Sequence, residues 1–150
     1  MKRMTDMLIG WRETVQLPDL GIGTFTAKID TGARTSALHA ERIKVFDRDG
    51  AKWVRFHVPH AGLDEAVDCE APLVDYREIK NTSGVPEERL VIETRLALGG
   101  RLWRIEVSLA DRGNMAMPLI LGRTAIRRRR ILVDAGRSFI AGAPAAKRKE

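Results

Sequence analysis

Cysteine, histidine and aromatic residues are all scarce in this 150-residue chain, and each scarcity removes a class of function. A single cysteine, Cys69, leaves no intrachain disulfide and no thiolate-rich zinc cage within one chain, and points to a reducing compartment. Aromatic residues make up 5% of the chain, so successive base-stacking platforms are missing. No apolar run reaches the length of a signal peptide or membrane span, since Met1–Met7 leads only into Leu8-Ile9-Gly10-Trp11-Arg12. The expected location is cytoplasmic, with no membrane partner. A phosphate loop of the Gly-x4-Gly-Lys-Ser/Thr type is absent, and Gly21-Ile22-Gly23-Thr24-Phe25-Thr26 lacks the third glycine of a dinucleotide loop. No cofactor is expected.

What the chain does have is a basic balance and a short-strand pattern. Apolar residues account for 44% and charged residues for 31%, enough for one hydrophobic core. With 26 Lys+Arg against 20 Asp+Glu the formal charge is +6, so the field attracts anionic partners such as an acidic peptide or nucleic acid. The expected organisation is a disordered terminus over 1–7, one domain over 8–142 and a disordered basic tail over 143–150. Inside the domain, β-branched and aromatic residues alternate with polar ones in short runs separated by Gly, Pro, Asn or Asp. Strands are expected at Glu13–Leu17, Thr24–Ile29, Ala40–Phe46, Trp53–Val58, Ala71–Tyr76, Leu90–Leu98, Leu102–Leu109, Leu119–Leu121 and Ile131–Val133. Hairpin turns are expected at Asp47–Gly50 and Gly99–Gly100. One short helix is expected over Arg123–Arg130, with Thr124 as its cap and Ala125-Ile126 facing inward. The fold class is therefore all-β, a barrel or sandwich, and no internal repeat is present.

Ala27-Lys28-Ile29-Asp30-Thr31-Gly32-Ala33 is the most informative segment, because a strand there ends on an acid and turns at Thr-Gly. In isolation this is a β-turn opened by Asp30, whose carboxylate accepts backbone N–H bonds while Gly32 takes the unusual dihedral. A second segment, Met117-Pro118-Leu119-Ile120-Leu121-Gly122-Arg123, changes the weight of the first. An apolar strand of this kind can pack beneath the acid-bearing loop, with Gly122 permitting close approach.

The two segments, in this order, resemble the retropepsin family of aspartic proteases. The likeness tightens to a bacterial family long labelled ATP-dependent zinc proteases (RimB-like, RimK-associated), through Lys28–Ala33, Thr35-Ser-Ala-Leu-His-Ala40, Arg77-Glu-Ile-Lys-Asn-Thr-Ser-Gly84, Ser108-Leu-Ala-Asp-Arg112 and Leu119–Arg123. The resemblance implies a retropepsin-like closed barrel with one short helix near the C-terminus. It implies catalysis by two carboxylates sharing one proton, and each chain supplies one, Asp30. The chain should then be a homodimer, with Thr31 hydrogen-bonding across the axis and the Gly32 amide supporting the carboxylate. Within one chain a rival second acid is Asp134, in Val133-Asp134-Ala135-Gly136, whose expected role is a turn or a dimer-interface strand.

Charge suggests the substrate. Where retropepsins carry another acid four residues after the catalytic one, this chain has Arg34. Arg77, Lys80 and Arg89 add cations around Asn81–Gly84, a polar stretch expected to form a flap that includes Ser83. With Ala33 and Arg123 these residues form the expected substrate-binding set, suited to acidic or glutamate-rich tails. The resemblance also implies a functional link to a RimK-type ATP-grasp ligase that adds glutamates to a protein's carboxyl terminus. Any dependence on ATP would then belong to that partner.

The zinc label is testable on the sequence. His39, His57, His60 and Cys69 are the candidate ligands, but no His-Glu-x-x-His occurs, and no metal is expected at the catalytic centre. Trp11, Trp53 and Trp103 read as core or interface residues. Arg127–Arg130 is the strongest nucleic-acid cue, yet no aromatic residue interleaves with it, and a solvated helix face docking an acidic partner or ribosome is the expected role. The alternative to an enzyme is a non-catalytic basic domain of the same fold that recognises acidic tails or RNA.

Overall fold

The computed structural model describes residues 5–60, 63, 65–80, 84–111 and 117–144, with the backbone alone at 79 and 80. Among the described residues the fold has ten strands, one short α-helix and one 3-10 turn at Pro18–Leu20. In chain order the strands are β1 (Met7–Leu17), β2 (Ile22–Ile29), β3 (Ser36–His39), β4 (Glu41–Arg48), β5 (Ala51–Val58), β6 (Val67–Lys80), β7 (Pro86–Leu98), β8 (Arg101–Ala110), β9 (Leu119–Leu121) and β10 (Ile131–Ser138). Helix α1 (Arg123–Ile126) lies between β9 and β10.

Hydrogen bonding orders the strands β10-β1-β2-β9-β3-β8-β7-β6-β5-β4, and β1 also pairs with β7. That extra contact joins Val15 to Leu98 and Gln16 to Ala97, so β1, β2, β9, β3, β8 and β7 form a ring. The ring is the part of the expected barrel that these pairings display. Inside it lie Ile9, Val15, Leu17, Leu38, Leu96, Leu98, Leu119 and Leu121, all fully buried. At roughly 1.5–3 kcal/mol for each large aliphatic side chain removed from water, this cluster is the main force holding the strands together.

Turn chemistry sets two of the hairpins. Asp49 and Gly50 both have positive φ (50° and 82°), the left-handed pair that a two-residue hairpin needs, and β4 pairs with β5 directly across them. Gly99 likewise takes φ 58° between β7 and β8. The flap stretch 81–83 lies outside the described residues, as do 1–4 and 145–150 of the expected disordered ends. Residues 5–7 are held by contacts of their own: Met7 N–H donates to the Arg130 carbonyl at 2.9 Å, and Asp6 pairs with Arg130 at 2.9 Å.

Several expected boundaries move. β3 is a strand that the hydrophobic pattern does not announce, because Ser36-Ala37-Leu38-His39 has weak β-propensity and owes its extended form to partners on both sides. The helix is one turn rather than eight residues, since Arg127 is already extended (φ −63°, ψ 149°) and Arg128 and Arg130 then take positive φ of 66° and 55°. Thr124 does not cap it either. Gly122 is the N-cap residue, and the Thr124 hydroxyl instead donates to the Arg34 carbonyl at 2.8 Å. Arg127–Arg130 is therefore a turn and not a helix face, with the Arg129 guanidinium over the Trp103 ring.

Glu13, expected at the start of a strand, is a fully buried acid. Its carboxylate accepts bonds from the backbone N–H groups of Gly10 (2.7 Å), Ile140 (2.9 Å) and Ala141 (3.2 Å), which fastens the returning C-terminal segment to β1.

Candidate functional site

The acid-bearing loop is built by three strands that lie side by side. β2 delivers the chain to Asp30, β3 carries it away from Ser36, and β9 inserts between them. β9 runs parallel to β2 (Ala27↔Leu119, Lys28↔Ile120, Ile29↔Leu121) and antiparallel to β3 (Ala37↔Ile120, Leu38↔Leu119). Asp30 continues the ladder by donating its N–H to the Leu121 carbonyl at 2.8 Å. The apolar segment thus lies beneath the loop, as its sequence suggested.

The start of α1 then braces the loop from the side. Arg123 N–H donates to the Ala33 carbonyl at 2.8 Å and Thr124 N–H to the Arg34 carbonyl at 3.2 Å. The Arg123 guanidinium reaches the carbonyls of Thr31 (3.4 Å) and Gly32 (3.2 Å). Below, Gly122 N–H donates to the buried Ser36 hydroxyl at 3.0 Å, and the Ser108 hydroxyl donates to the Ser36 carbonyl at 2.9 Å. Only glycine fits at 122, because an added Cβ would stand 2.7 Å from the Thr35 carbonyl carbon and 2.9 Å from the carbonyl oxygens of Ala33 and Arg34.

On this platform Asp30 is half-buried, with Thr31 and Gly32 exposed. Gly32 N–H donates to Asp30 Oδ1 at 3.1 Å, and Ala33 N–H donates to the Asp30 carbonyl at 3.1 Å. Gly32 does not take the left-handed conformation expected of it. What its missing Cβ secures is room, since a Cβ there would press to 3.3 Å from Asp30 Oδ1. One carboxylate oxygen is thus supported by an amide, and the other has no protein partner among the described residues. The loop presents a carboxylate to solvent at a fixed position, which is the requirement for a group that handles protons.

The remaining residues of the expected site separate into groups. Ala33 is half-buried and Arg34 exposed in the loop itself. Arg123 braces the loop through its carbonyls rather than standing free for substrate. Arg77 is held by Asp75 at 2.8 Å and Glu106 at 2.7 Å, and the Glu106 bond, ahead of the Asp75 bond, pushes its pKa upward. Its charge is already offset within its own sheet. Arg89 is buried, with one nitrogen 3.2 Å from Glu87 and its Nε without a hydrogen-bond partner among the described residues. The side chain of Lys80 and all of Ser83 lie outside the described residues.

Asp134 repeats the local contact of Asp30, with Gly136 N–H donating to its Oδ1 at 3.0 Å. It sits on β10 opposite Gly10, however, so β1 lies between its strand and that of Asp30. The four zinc candidates do not gather. His57 pairs with Asp68 at 2.8 Å, while Cys69 is buried, its thiol pKa raised to about 12 by burial first and the Asp68 charge second. Among the described residues a different group does converge on one point, His39 with Glu41 and Asp111. Sequence reasoning missed it because only His39-x-Glu41 is local, and Asp111 arrives from another strand.

A family model described as the retropepsin-like aspartic endopeptidase RimB (RimB-like) matches residues 8–144. A probable alpha-L-glutamate ligase from Desulfotalea psychrophila is 42% identical over 127 residues, covering 83% of this chain and 27% of the relative. Another from Shewanella pealeana is 39% identical over 137 residues, covering 90% of this chain and 30% of the relative. The chain therefore spans less than a third of the length of these curated relatives. Among solved structures, the crystal structure of Lpg0085, a protein of unknown function from Legionella pneumophila, superposes with a TM-score of 0.80 at 30% identity, covering 92% of this chain and all of that one. Among the described residues, no helix is long and apolar enough to cross a membrane.

Proposed function

Because the chain belongs to the RimB-like family of retropepsin-like aspartic endopeptidases, we propose that it hydrolyses peptide bonds as a homodimer in which Asp30 of each copy supplies half of the catalytic dyad. The observation that carries this reading is the braced loop, which holds one carboxylate oxygen on the Gly32 amide and leaves the other available to a partner. Two such carboxylates across a two-fold axis share a single proton, because adjacent like charges do not both ionise, and they titrate as a pair.

In this mechanism the ionised Asp30 takes a proton from water as its oxygen attacks the scissile carbonyl carbon. The protonated Asp30 of the other copy gives its proton to the carbonyl oxygen, forming a tetrahedral diol. Collapse of the diol breaks the C–N bond: the proton first taken from water passes to the leaving nitrogen, while the carboxylate that protonated the carbonyl takes a proton back from one diol hydroxyl, which releases a carboxylic acid and restores the one-proton pair. Thr31 hydrogen-bonds across the axis and keeps the two loops in register. The catalytic unit is residues 8–142 of each copy, enclosed by the full retropepsin-like closed barrel.

The substrate we infer is an acidic or glutamate-rich protein tail in the cytoplasm. Arg34 stands exposed four residues after the catalytic acid, where a guanidinium can pair bidentately with a substrate carboxylate. Arg89 keeps a buried nitrogen that no described residue pairs. Relatives named as glutamate ligases carry a matching segment within one longer chain, which supports a functional link between this domain and a ligase that makes glutamate tails.

Mass spectrometry of a glutamate-tailed protein, incubated with wild type and with Asp30→Asn, tests the proposal. Tail shortening by wild type and none by the variant is the expected result, with chelator making no difference. Shortening that persists in Asp30→Asn removes the catalytic assignment, and equal turnover of neutral tails removes the specificity.

A further inference from the structure

We propose that His39, Glu41 and Asp111 form a site for one divalent transition-metal ion at the corner where β3, β4 and the end of β8 meet, separate from the aspartate loop. The three side chains each offer one ligand atom, and these atoms lie within 4.8 Å of one another.

The histidine is set up as a ligand by its surroundings. Its side chain is 8% exposed, and its backbone N–H is fixed to the Pro118 carbonyl at 2.8 Å. Ring Nδ1 lies 3.2 Å from the Ala110 carbonyl oxygen. A carbonyl can only accept, so Nδ1 carries the proton, and in the neutral ring Nε2 keeps its lone pair. A backbone carbonyl on one ring nitrogen is the usual second-shell device that orients a metal-bound imidazole.

The spacing of two of the ligand atoms also fits a shared ion. His39 Nε2 and Glu41 Oε2 are 3.8 Å apart, beyond hydrogen-bond range. Two ligands bound to one ion through bonds of ~2.0–2.2 Å, at tetrahedral or wider angles, are separated by roughly 3.4–4.3 Å, which brackets this spacing. Two carboxylates and a neutral imidazole also balance the charge of a divalent cation. The mixed nitrogen and oxygen donor set, without thiolate, suits Zn²⁺, Co²⁺ or Mn²⁺.

Position gives the site its role. The backbone already joins this corner, because Ala40 N–H, between the two ligands of the β3–β4 turn, donates to the Ala110 carbonyl at 3.0 Å. An ion shared with Asp111 would clamp the point at which the chain leaves β8. The same chain returns as β9, the strand beneath Asp30. His39 follows the loop-supporting Ser36 by three extended residues, about 10 Å along β3, so the ion is structural and takes no part in the chemistry at Asp30.

Calorimetric titration of the chelator-treated full chain with Zn²⁺, alongside the visible absorption spectrum with Co²⁺, tests the site directly. Glu41→Gln and Asp111→Asn are suitable variants, since Glu41 is half-buried and Asp111 exposed, and both keep side-chain shape. Wild type should bind one ion per chain and gain thermal stability from it. Each variant should bind at least roughly tenfold more weakly, by analogy with the 10–100-fold cost of removing even an outer-shell group. Absence of binding at millimolar ion, or unchanged affinity in both variants, would overturn the proposal.

Discussion

Asp30 and Asp134 make the same local hydrogen bond, yet their settings differ: Asp30 opens a turn, whereas Asp134 lies within strand β10. In each, the carboxylate accepts the N–H of the glycine two residues on, at 3.1 Å for Asp30 and 3.0 Å for Asp134. The glycine at 32 leaves only 3.3 Å between a hypothetical Cβ and its aspartate, against 3.6 Å at 136. The larger difference lies underneath. Asp30 sits over β9, buried Gly122 and the Arg123 brace, whereas Asp134 belongs to β10, which among the described residues pairs only with β1. An Asp-x-Gly hydrogen bond is local chemistry that any chain can make. A fixed carboxylate needs a second, distant segment to hold the turn in place.

The largest contrast should come from removing each acid in turn. Asp30→Asn should lower peptide hydrolysis by about 10³-fold or more, in the range for lost acid–base groups, while Asp134→Asn leaves turnover within about twofold. Comparable losses in both would return Asp134 to the reaction.

Adding one methyl group to each platform should separate them next. Gly122→Ala forces contacts at 2.7–2.9 Å against backbone atoms and should destabilise the fold by about 1–3 kcal/mol or more in urea titrations. Gly136→Ala meets nothing closer than 3.6 Å, and its effect should stay within about 0.5 kcal/mol.

A smaller effect tests the side brace. Arg123→Ala removes two bonds to the loop carbonyls and should cost about 1 kcal/mol of stability or less, with a fall in kcat that exceeds any change in KM. A KM effect alone would instead make Arg123 a substrate contact.

The weakest effect involves an aspartate outside both segments. Asp19 is chelated by Arg95, whose hydrogen bond holds its carboxyl pKa below the ordinary 3.8 despite partial burial. A depressed folded-state pKa means stability that is present above the unfolded value and lost as pH falls through the folded one. Asp19→Asn should therefore flatten the acid limb of a stability–pH curve below about pH 4 and leave neutral stability nearly unchanged, since the pair is half-exposed.

The strong parts of this comparison were legible in the sequence and the weak parts were not. Asp30-Thr31-Gly32 and Leu119–Arg123 announced themselves by residue type, because a close-approach glycine after an apolar triplet has few other uses. Hairpins at Asp49-Gly50 and Gly99 followed from turn chemistry. Strand β3 did not, since Ser36–His39 is extended through pairing to β8 and β9 rather than through its own preference. The ion pairs of Arg77 and Arg89 were not legible for a related reason: Arg77 stands opposite Arg89 in the β6–β7 register, and its side chain reaches past β7 to Glu106 on β8, twenty-nine residues away in sequence. Glu13 gave no sign of its burial, because its partners are backbone amides at Gly10 and at the far end of the chain.

Subunit mixing tests the central claim most directly. Wild type and Asp30→Asn are allowed to exchange subunits at varying ratios and peptide hydrolysis is followed. A dyad built from two chains predicts activity that falls as the square of the wild-type fraction, to about one quarter in an equal mixture. A linear decline, to about one half, would mean that each chain acts alone and would contradict the account.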